Sequence, residues 1–118
     1  MEKMSKAVEK LLEGVKDPND LWRRNHTAFT LALIFRDMGL SKEEAHKALK
    51  WWNRKNAKRF RRDRFFRSTL DYIYSEEGKK EKASWHWVEL LSGEKVEDEL
   101  KPLFSDLKPG ELKKAKSG

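Results

Sequence analysis

Apolar residues recur at every third or fourth position along most of the chain, and strict alternation of apolar and polar residues is rare. This spacing places apolar side chains on one face of an α-helix, whereas a half-buried strand has a two-residue period. The pattern therefore predicts an all-α fold, a single helical bundle of about five to six helices over residues 1–107. We expect residues 84–107 to form a C-terminal extension of the bundle and residues 108–118 to form a flexible tail.

Glycine, proline and capping residues predict where the helices begin and end. Gly39 is suited to end one helix, and Ser41 and Glu44 have the spacing of a capping box that begins the next. The predicted helices span residues 4–15, 21–38, 42–57 and 63–77, and a fifth runs from a Ser84 cap to residue 91. Pro102 interrupts residues 94–107, which are expected to form a short helix and a packed extension.

The net charge is concentrated in the middle of the chain. The whole sequence has 27 Lys and Arg against 20 Asp and Glu, a formal net charge of +7. Residues 21–75 hold fourteen of the basic residues and five of the acidic ones, so they carry +9 while the remainder carries −2. Such asymmetry indicates a surface that binds a polyanion, since solubility alone does not require it.

Positive charge is densest at residues 53–67, hereafter the basic segment, which contains eight basic residues and one acid. Six of the eight are Arg, whose planar guanidinium matches phosphate and stacks on bases. Interleaved aromatic residues are typical of proteins that bind single strands through a basic groove and stacking platforms. The expected nucleic-acid-binding residues are Arg54, Lys55, Lys58, Arg59, Arg61, Arg62, Arg64, Arg67, Asn53, Trp51 and Phe60. The alternative is a solvated charged face whose aromatic residues cover the edges of the core.

A second cluster, Arg23, Arg24, Asn25 and His26, opens the second predicted helix. Free amide groups at a helix N-terminus attract anions, and two adjacent Arg side chains add positive charge. The cluster predicts a site for one triphosphate. The alternative is an ordinary exposed first turn of a helix.

Motifs for catalysis and metal binding are missing from the sequence. The three His residues are far apart, there is no Cys, and no glycine-rich phosphate loop occurs. We therefore expect no enzyme activity of the chain by itself, no metal and no tightly bound cofactor, with ATP and its Mg²⁺ as the expected ligand. The chain has no run approaching about 20 apolar residues and no apolar stretch near its start, so a cytoplasmic protein without membrane association is expected.

The middle of the chain also carries a spaced series of residues. The series is Arg24-Asn25, Phe29, Leu31-Ala32, Arg36, Gly39-Leu40-Ser41, Glu43-Glu44-Ala45, Ala48-Leu49 and Asn53, then Arg64-Phe65-Phe66-Arg67-Ser68. Over residues 22–75 this series resembles the primase C-terminal (PriCT-type) helical domain that follows the catalytic core in plasmid, phage and archaeal primases. The chain departs from that family at residues 58–62, where a proline-containing link is usual and Lys58-Arg59-Phe60-Arg61-Arg62 stands instead.

The resemblance implies a helical bundle attached to a primase-polymerase core that acts in DNA replication. Such a bundle assists primer initiation by holding the single-stranded DNA template and a nucleoside triphosphate. By this resemblance, Arg24, Asn25, Asn53, Arg67 and Ser68 are binding residues. The implied protein partner is the catalytic primase-polymerase domain of the same natural chain.

Two other functions fit parts of the sequence. The turn at Gly39 and Ser41 suits a helix-turn-helix regulator of duplex DNA, although acids at the start of the next helix would face the major groove. Alternatively, Trp85, Trp87 and the acidic C-terminal segment suit a protein-interaction module, whose mark would be exposed Trp side chains.

Overall fold

The computed structural model describes residues 5–107, in which there are five α-helices and three single-turn 3-10 helices. The α-helices are α1 (Lys6–Leu12), α2 (Leu21–Asp37), α3 (Lys42–Asn53), α4 (Arg64–Ile73) and α5 (Trp85–Ser92), and the 3-10 turns are Gly78–Lys80, Asp98–Leu100 and Phe104–Asp106. No strand occurs in this part of the chain. The predicted all-α bundle of about five helices is confirmed. The tail predicted at residues 108–118 lies outside the described residues.

The central helix of the bundle is α2, which packs against each of the other four α-helices. Residues 30–35 are buried without a break, so this part of α2 is enclosed on all sides. The core-facing residues of the neighbours include Trp52 of α3 and Phe66 of α4, both fully buried. The partly buried residues Arg23, Arg24, Asn25 and His26 lie at the N-terminal end of this buried stretch, where they can contribute to a binding site.

Capping residues begin α2 and α3 where the sequence predicts. The Ser41 Oγ accepts from the Glu44 backbone N–H at 3.1 Å, and the Glu44 Oε1 accepts from the Ser41 N–H at 2.8 Å. This reciprocal capping box starts α3, while the Asp20 carboxylate accepts from the Arg23 N–H to start α2. Gly39 takes a left-handed conformation between α2 and α3, with φ of 99°.

The bounds of α1 and the ends of α3 and α4 differ from the prediction. The predicted helix 4–15 spans Lys6–Leu12, and it ends before Gly14, which has a left-handed conformation with φ of 88°. The predicted helix 42–57 ends at Asn53, because the Asn56 Oδ1 instead accepts from the Val15 backbone N–H at 2.7 Å. The predicted helix 63–77 ends at Ile73, and the chain then turns closely back over the helix end at Gly78. A Cβ atom on Gly78 would lie 1.8 Å from the Tyr72 carbonyl oxygen. The ends of α3 and α4 are set by contacts with backbone groups elsewhere in the chain, and the apolar periodicity of the sequence does not predict such contacts.

The segment after α5 is packed but not α-helical. The short helix predicted within residues 94–107 was wrong, since two single 3-10 turns occur there. The Trp85 ring stacks on Phe104 with 4.7 Å between ring centroids, and the Trp85 Nε1 donates to the Pro102 carbonyl at 3.0 Å. Phe104 and Leu107 are buried in the core. The extension therefore closes the bundle through aromatic packing.

Within residues 5–107, no helix combines the length and the apolar character that crossing a membrane requires.

Candidate nucleic-acid interface

The loop from α3 to α4 is held in shape by the Asn53 side chain. Its Oδ1 accepts from the Phe60 backbone N–H at 2.8 Å, and its Nδ2 donates to the Phe60 carbonyl at 2.9 Å. This two-point contact closes residues 54–59 into a loop at the end of α3. Asn53 was predicted to contact nucleic acid, and the structure engages both polar atoms of its amide inside the protein.

The Phe60 ring anchors the same loop against α2 and α4. It stacks on Phe65 with 4.7 Å between centroids and meets Phe66 edge-on at 5.0 Å. The Arg24 guanidinium lies 3.9 Å from the Phe60 ring centroid, and its Nη1 donates to the Lys58 carbonyl at 3.2 Å. Burial lowers the pKa of Arg24 from its ordinary value. The Phe60 side chain therefore fixes the loop against the rest of the bundle.

Most of the cations of the basic segment lie on the outside of this anchored loop. Six of them are exposed, and within residues 5–107 their side chains make no hydrogen bond or ion pair: Arg54, Lys58, Arg59, Arg61, Arg62 and Arg64. Like charges at this density repel one another. Because no carboxylate in the described part of the chain contacts these six side chains, their positive charge stays exposed to solvent and is not neutralised by direct contact.

The remaining two cations of the basic segment have partners in the protein. The Arg67 Nε pairs with the Asp63 Oδ2 at 2.8 Å, and the Asp63 carboxylate also contacts the His46 Nε2 at 2.7 Å. Burial acts to raise the pKa of Asp63, but His46 and Arg67 outweigh it and hold that pKa below its ordinary value. The Lys55 Nζ lies 4.2 Å from the Trp51 ring centroid, which is a cation–π contact.

A pocket of about 420 Å³, hereafter the aromatic pocket, adjoins the basic segment. It lies between α2, the first turn of α4 and the start of α5, and it is lined by Asn25, His26, Phe29, Thr30, Leu33, Phe65, Glu81, Lys82, Ser84 and Trp87. Because Phe65 stacks on Phe60, the pocket and the loop share a wall. A mostly apolar pocket with a few polar groups is the usual form of a site for a small organic group.

Three stacked rings lie beside the aromatic pocket. The His26 ring centroid is 4.3 Å from that of Trp22 and 5.5 Å from that of Trp87, with interplanar angles of 29° and 18°. Trp22 is 50% exposed and Trp87 is 37% exposed. Trp22 was missed as a site residue by the sequence analysis. The available signal was the spacing of Trp22 and His26, which lie four residues apart on one face of α2.

The cluster predicted at the start of α2 does not form one site. The Arg23 Nε pairs with the Asp20 carboxylate at 3.1 Å, and its Nη1 donates to the Leu91 carbonyl, so Arg23 joins α2 to α5. The Arg23 backbone N–H, together with this side-chain contact, lowers the pKa of Asp20 below its ordinary value.

The other residues of that cluster separate around the helix. Arg24 contacts the basic segment, while Asn25 and His26 line the aromatic pocket. The Asn25 Oδ1 also accepts from the Arg24 Nε at 3.2 Å, which connects the pocket wall to the loop anchor. Ser68 is exposed on α4 and is not among the pocket-lining residues.

No group of three or more His, Asp or Glu residues within the described range is placed to hold a metal ion. No family model, no curated protein and no solved structure matches this chain. The resemblance to the primase domain therefore stays a prediction.

Proposed function

We propose that this chain binds single-stranded nucleic acid, with phosphates along the basic segment and one base in the aromatic pocket. The observation that carries the proposal is a set of six exposed cations in the basic segment whose side chains have no partner among residues 5–107, beside the Phe60–Phe65 wall that the loop shares with the pocket. A strand lying across the Phe60–Phe65 pair would have the cations of the basic segment on one side and the rings of the aromatic pocket on the other.

The phosphate contacts follow from electrostatics. Neutralising phosphates with Lys and Arg releases condensed counterions, and this release dominates non-specific affinity. It would also relieve the repulsion among the cations of the basic segment. The Asn53 and Phe60 contacts hold the loop before a strand arrives, which lowers the entropy cost of ordering it on binding.

The pocket favours a single strand over a duplex. A base can enter the aromatic pocket only when it is unpaired and unstacked, and this costs least in a single strand. Phe65 and Trp87 offer ring contacts, and the side chains of Asn25 and Ser84 offer hydrogen-bonding groups for a base edge. Stacking on an aromatic side chain contributes about 1–3 kcal/mol per base.

We further propose that this binding serves a primase-polymerase at primer initiation, with the chain acting as its template-binding and nucleotide-binding accessory domain. The resemblance over residues 22–75 supports this role, and Asn25 of that series lies in the pocket wall. The base of a nucleoside triphosphate suits the same pocket as an alternative to a template base, and Lys82, which lines the pocket beside Glu81, would supply a cation for its phosphates.

Duplex recognition through α2 and α3 is less well supported. Glu43 and Glu44 are exposed at the start of α3, which is the end a helix-turn-helix protein inserts into the major groove. Carboxylates at that end would repel the DNA backbone.

Protein interaction is the second candidate function, and one observation favours it. Leu21, Trp22, Trp87 and Leu90 are large apolar side chains that remain substantially exposed. Such residues anchor protein partners as well as bases. Trp85 does not belong to this set, because it packs on Phe104 inside the extension.

Fluorescence anisotropy with a short labelled strand tests the main proposal. If about six phosphates are neutralised, log affinity should fall with log salt at a slope near −4, a loss of roughly a few hundredfold between about 50 and 200 mM salt. An unlabelled single strand should compete better than a duplex of the same sequence. A flat salt response, or better competition by the duplex, contradicts the proposal.

A further inference from the structure

The floor of the aromatic pocket is one face of α2. His26, Phe29, Thr30 and Leu33 all line the pocket, and they have the spacing of three and four residues that places side chains on the same side of a helix. Two of the four, His26 and Thr30, are polar and lie one turn apart. The contacts that these two side chains make, or lack, therefore determine what kind of group the pocket can hold.

Thr30 brings an unpaired hydroxyl to this floor. The residue is 5% exposed, and its Oγ1 makes no hydrogen bond within residues 5–107. In that range the fully enclosed side-chain oxygen without a partner is the one of Thr27, so the Thr30 Oγ1 keeps some accessible surface. Because Thr30 lines the aromatic pocket, this oxygen faces it. Native structures rarely leave a polar group so deeply buried without a partner, and a ligand in the pocket would provide one.

His26 adds a nitrogen with a fixed role. Its Nδ1 lies 2.9 Å from the Trp22 carbonyl oxygen, which can only accept, so Nδ1 carries a proton and donates. The neutral ring then presents Nε2 as an acceptor, and no donor within residues 5–107 bonds to it. The ring also stacks on Trp22, with 4.3 Å between centroids, which supports its orientation. The floor of the pocket therefore offers one fixed acceptor and one hydroxyl that can donate or accept.

The walls of the pocket suit a flat ring with a polar edge. Phe65 of α4 and Trp87 of α5 line the pocket from two different helices. An apolar side chain of a protein partner would also pack on these rings, but it would cover the Thr30 hydroxyl and the His26 Nε2 without bonding to them. Covering unpaired polar groups is unfavourable. A nitrogen heterocycle can stack on the rings and also pair its edge with both groups.

We propose that the aromatic pocket binds a nucleobase by its Watson–Crick edge, with an N–H group of the base donating to the His26 Nε2 and a neighbouring acceptor of the base paired with the Thr30 hydroxyl. Each natural base has an adjacent donor and acceptor on that edge, so the contact admits all of them. In a duplex the same edge is already paired. The inference rests on the proposed function and adds the groups that bind the base.

An NMR titration with free nucleosides tests the base contact without a strand. Adenosine should give saturable shifts at the amides of His26 and Thr30. Purine riboside, which lacks only the amino group of adenosine, leaves the His26 Nε2 without a donor and should bind roughly two- to tenfold more weakly, the loss of one hydrogen bond. Indole, an apolar ring system of similar size, should bind more weakly than adenosine.

Thr30→Val keeps the shape of the side chain and removes the hydroxyl. It should weaken adenosine binding roughly two- to tenfold. The melting temperature should stay equal or rise, because an unpaired and nearly buried hydroxyl is lost. Thr27→Val is the matched control, since it removes the enclosed hydroxyl one turn away, and it should leave adenosine affinity unchanged.

His26→Phe keeps a ring beside Trp22 and removes the acceptor. In this variant adenosine and purine riboside should bind equally well, because nothing at that position distinguishes the amino group. A merely structural histidine would leave the preference for adenosine intact. This ratio of affinities is therefore a measurement that general damage to the pocket does not imitate.

Four results overturn the proposal: no saturable shifts with adenosine, equal binding of adenosine and purine riboside by the parent, unchanged adenosine affinity in Thr30→Val, or binding of indole as tight as that of adenosine. The last result would assign the pocket to an apolar side chain of a protein partner.

A labelled single strand separates the base contact from the proposed function. If the strand binds Thr30→Val and the parent equally, the base contact fails and single-strand binding through the basic segment stands. If nucleosides bind as expected but no strand binds, the single-strand proposal fails and the base site stands.

Discussion

The arginines of α2 and those of the basic segment differ in what their guanidinium groups contact. In α2, Arg23, Arg24 and Arg36 each donate to backbone carbonyls of other parts of the chain. In the basic segment, five arginines are exposed and their guanidinium groups make no hydrogen bond within residues 5–107: Arg54, Arg59, Arg61, Arg62 and Arg64. The first group has exchanged water for protein acceptors, whereas the second is still hydrated.

This difference separates cations that hold the fold from cations that a ligand can use. A guanidinium already bonded to carbonyls must break those bonds before it contacts a phosphate, so its net gain is small. An exposed guanidinium loses only part of its hydration and gains a charge-assisted contact. The count of basic residues near a site therefore overstates its capacity for phosphate.

The largest expected effect is on stability, at Arg36. Its Nη1 donates to the carbonyls of Ile73 at 2.6 Å and Gly78 at 2.9 Å, and its Nη2 donates to the backbone carbonyl of Glu81. The Arg36 side chain is 11% exposed. Arg36→Met should lower the free energy of unfolding by about 3–5 kcal/mol, because partly buried acceptors and Asp37 lose their partner. Urea denaturation measures this loss.

Arg64→Met is the matched control for Arg36, because Arg64 is exposed and has no partner in the described residues. It should change stability by less than about 0.5 kcal/mol. Equal losses for the two variants would remove the distinction between the two groups of arginines.

The next effect is on binding. Replacing Arg61, Arg62 and Arg64 with Ala should weaken single-strand binding on the order of a hundredfold, about 3 kcal/mol, without lowering the melting temperature. All sequences should be affected alike, because phosphate contacts do not read bases. Anisotropy titration and a thermal melt give the two measurements. The charge-matched control replaces Lys6, Lys80 and Lys95, exposed lysines on other elements, and should lose far less affinity.

Asn53 tests whether the shape of the loop matters in addition to its charge. Asn53→Ala removes both contacts to Phe60 and should cost about 1–3 kcal/mol of stability. It should also weaken single-strand binding several-fold, because the cations stay but the loop is no longer held. Asn19→Ala, in the exposed turn before α2, should change neither quantity. Unchanged binding in Asn53→Ala would show that charge alone suffices.

The smallest effect is the acid dependence of stability. Contacts hold the pKa values of Asp20, Glu44 and Glu89 below the ordinary values of 3.8 for Asp and 4.5 for Glu. Because these pKa values are lower in the folded state, the stability they contribute is present above the ordinary values and is lost as pH falls through the folded ones. The melting temperature should therefore fall below about pH 4.5.

Glu44→Gln should reduce this acid dependence, and Glu97→Gln, at an exposed position, should leave it unchanged. A melting temperature in the parent that stays constant to well below the ordinary values would contradict the assignment. The result also concerns the arginines of α2, because Asp20 is the carboxylate that forms an ion pair with Arg23.

The starts of α2, α3 and α5 could be predicted from the sequence because capping is local. Asp20, Ser41 and Ser84 accept from backbone N–H groups two or three residues further along, so residue type and spacing suffice. The core residues Trp52 and Phe66 also follow from apolar spacing. The end of α3 could not be predicted, because the Asn56 side chain contacts Val15, 41 residues away along the chain.

The sequence by itself determined the helical bundle, the position of the positive charge and the residue types available for binding. Only the tertiary structure decided which cations remain available. Arg23 and Arg24 are adjacent, yet they bond to the carbonyls of Leu91 and Lys58, which lie 68 and 34 residues away. Successive helical residues point about 100° apart, so neighbours reach different parts of the fold. A guanidinium acquires or lacks a partner only when distant backbone packs beside it.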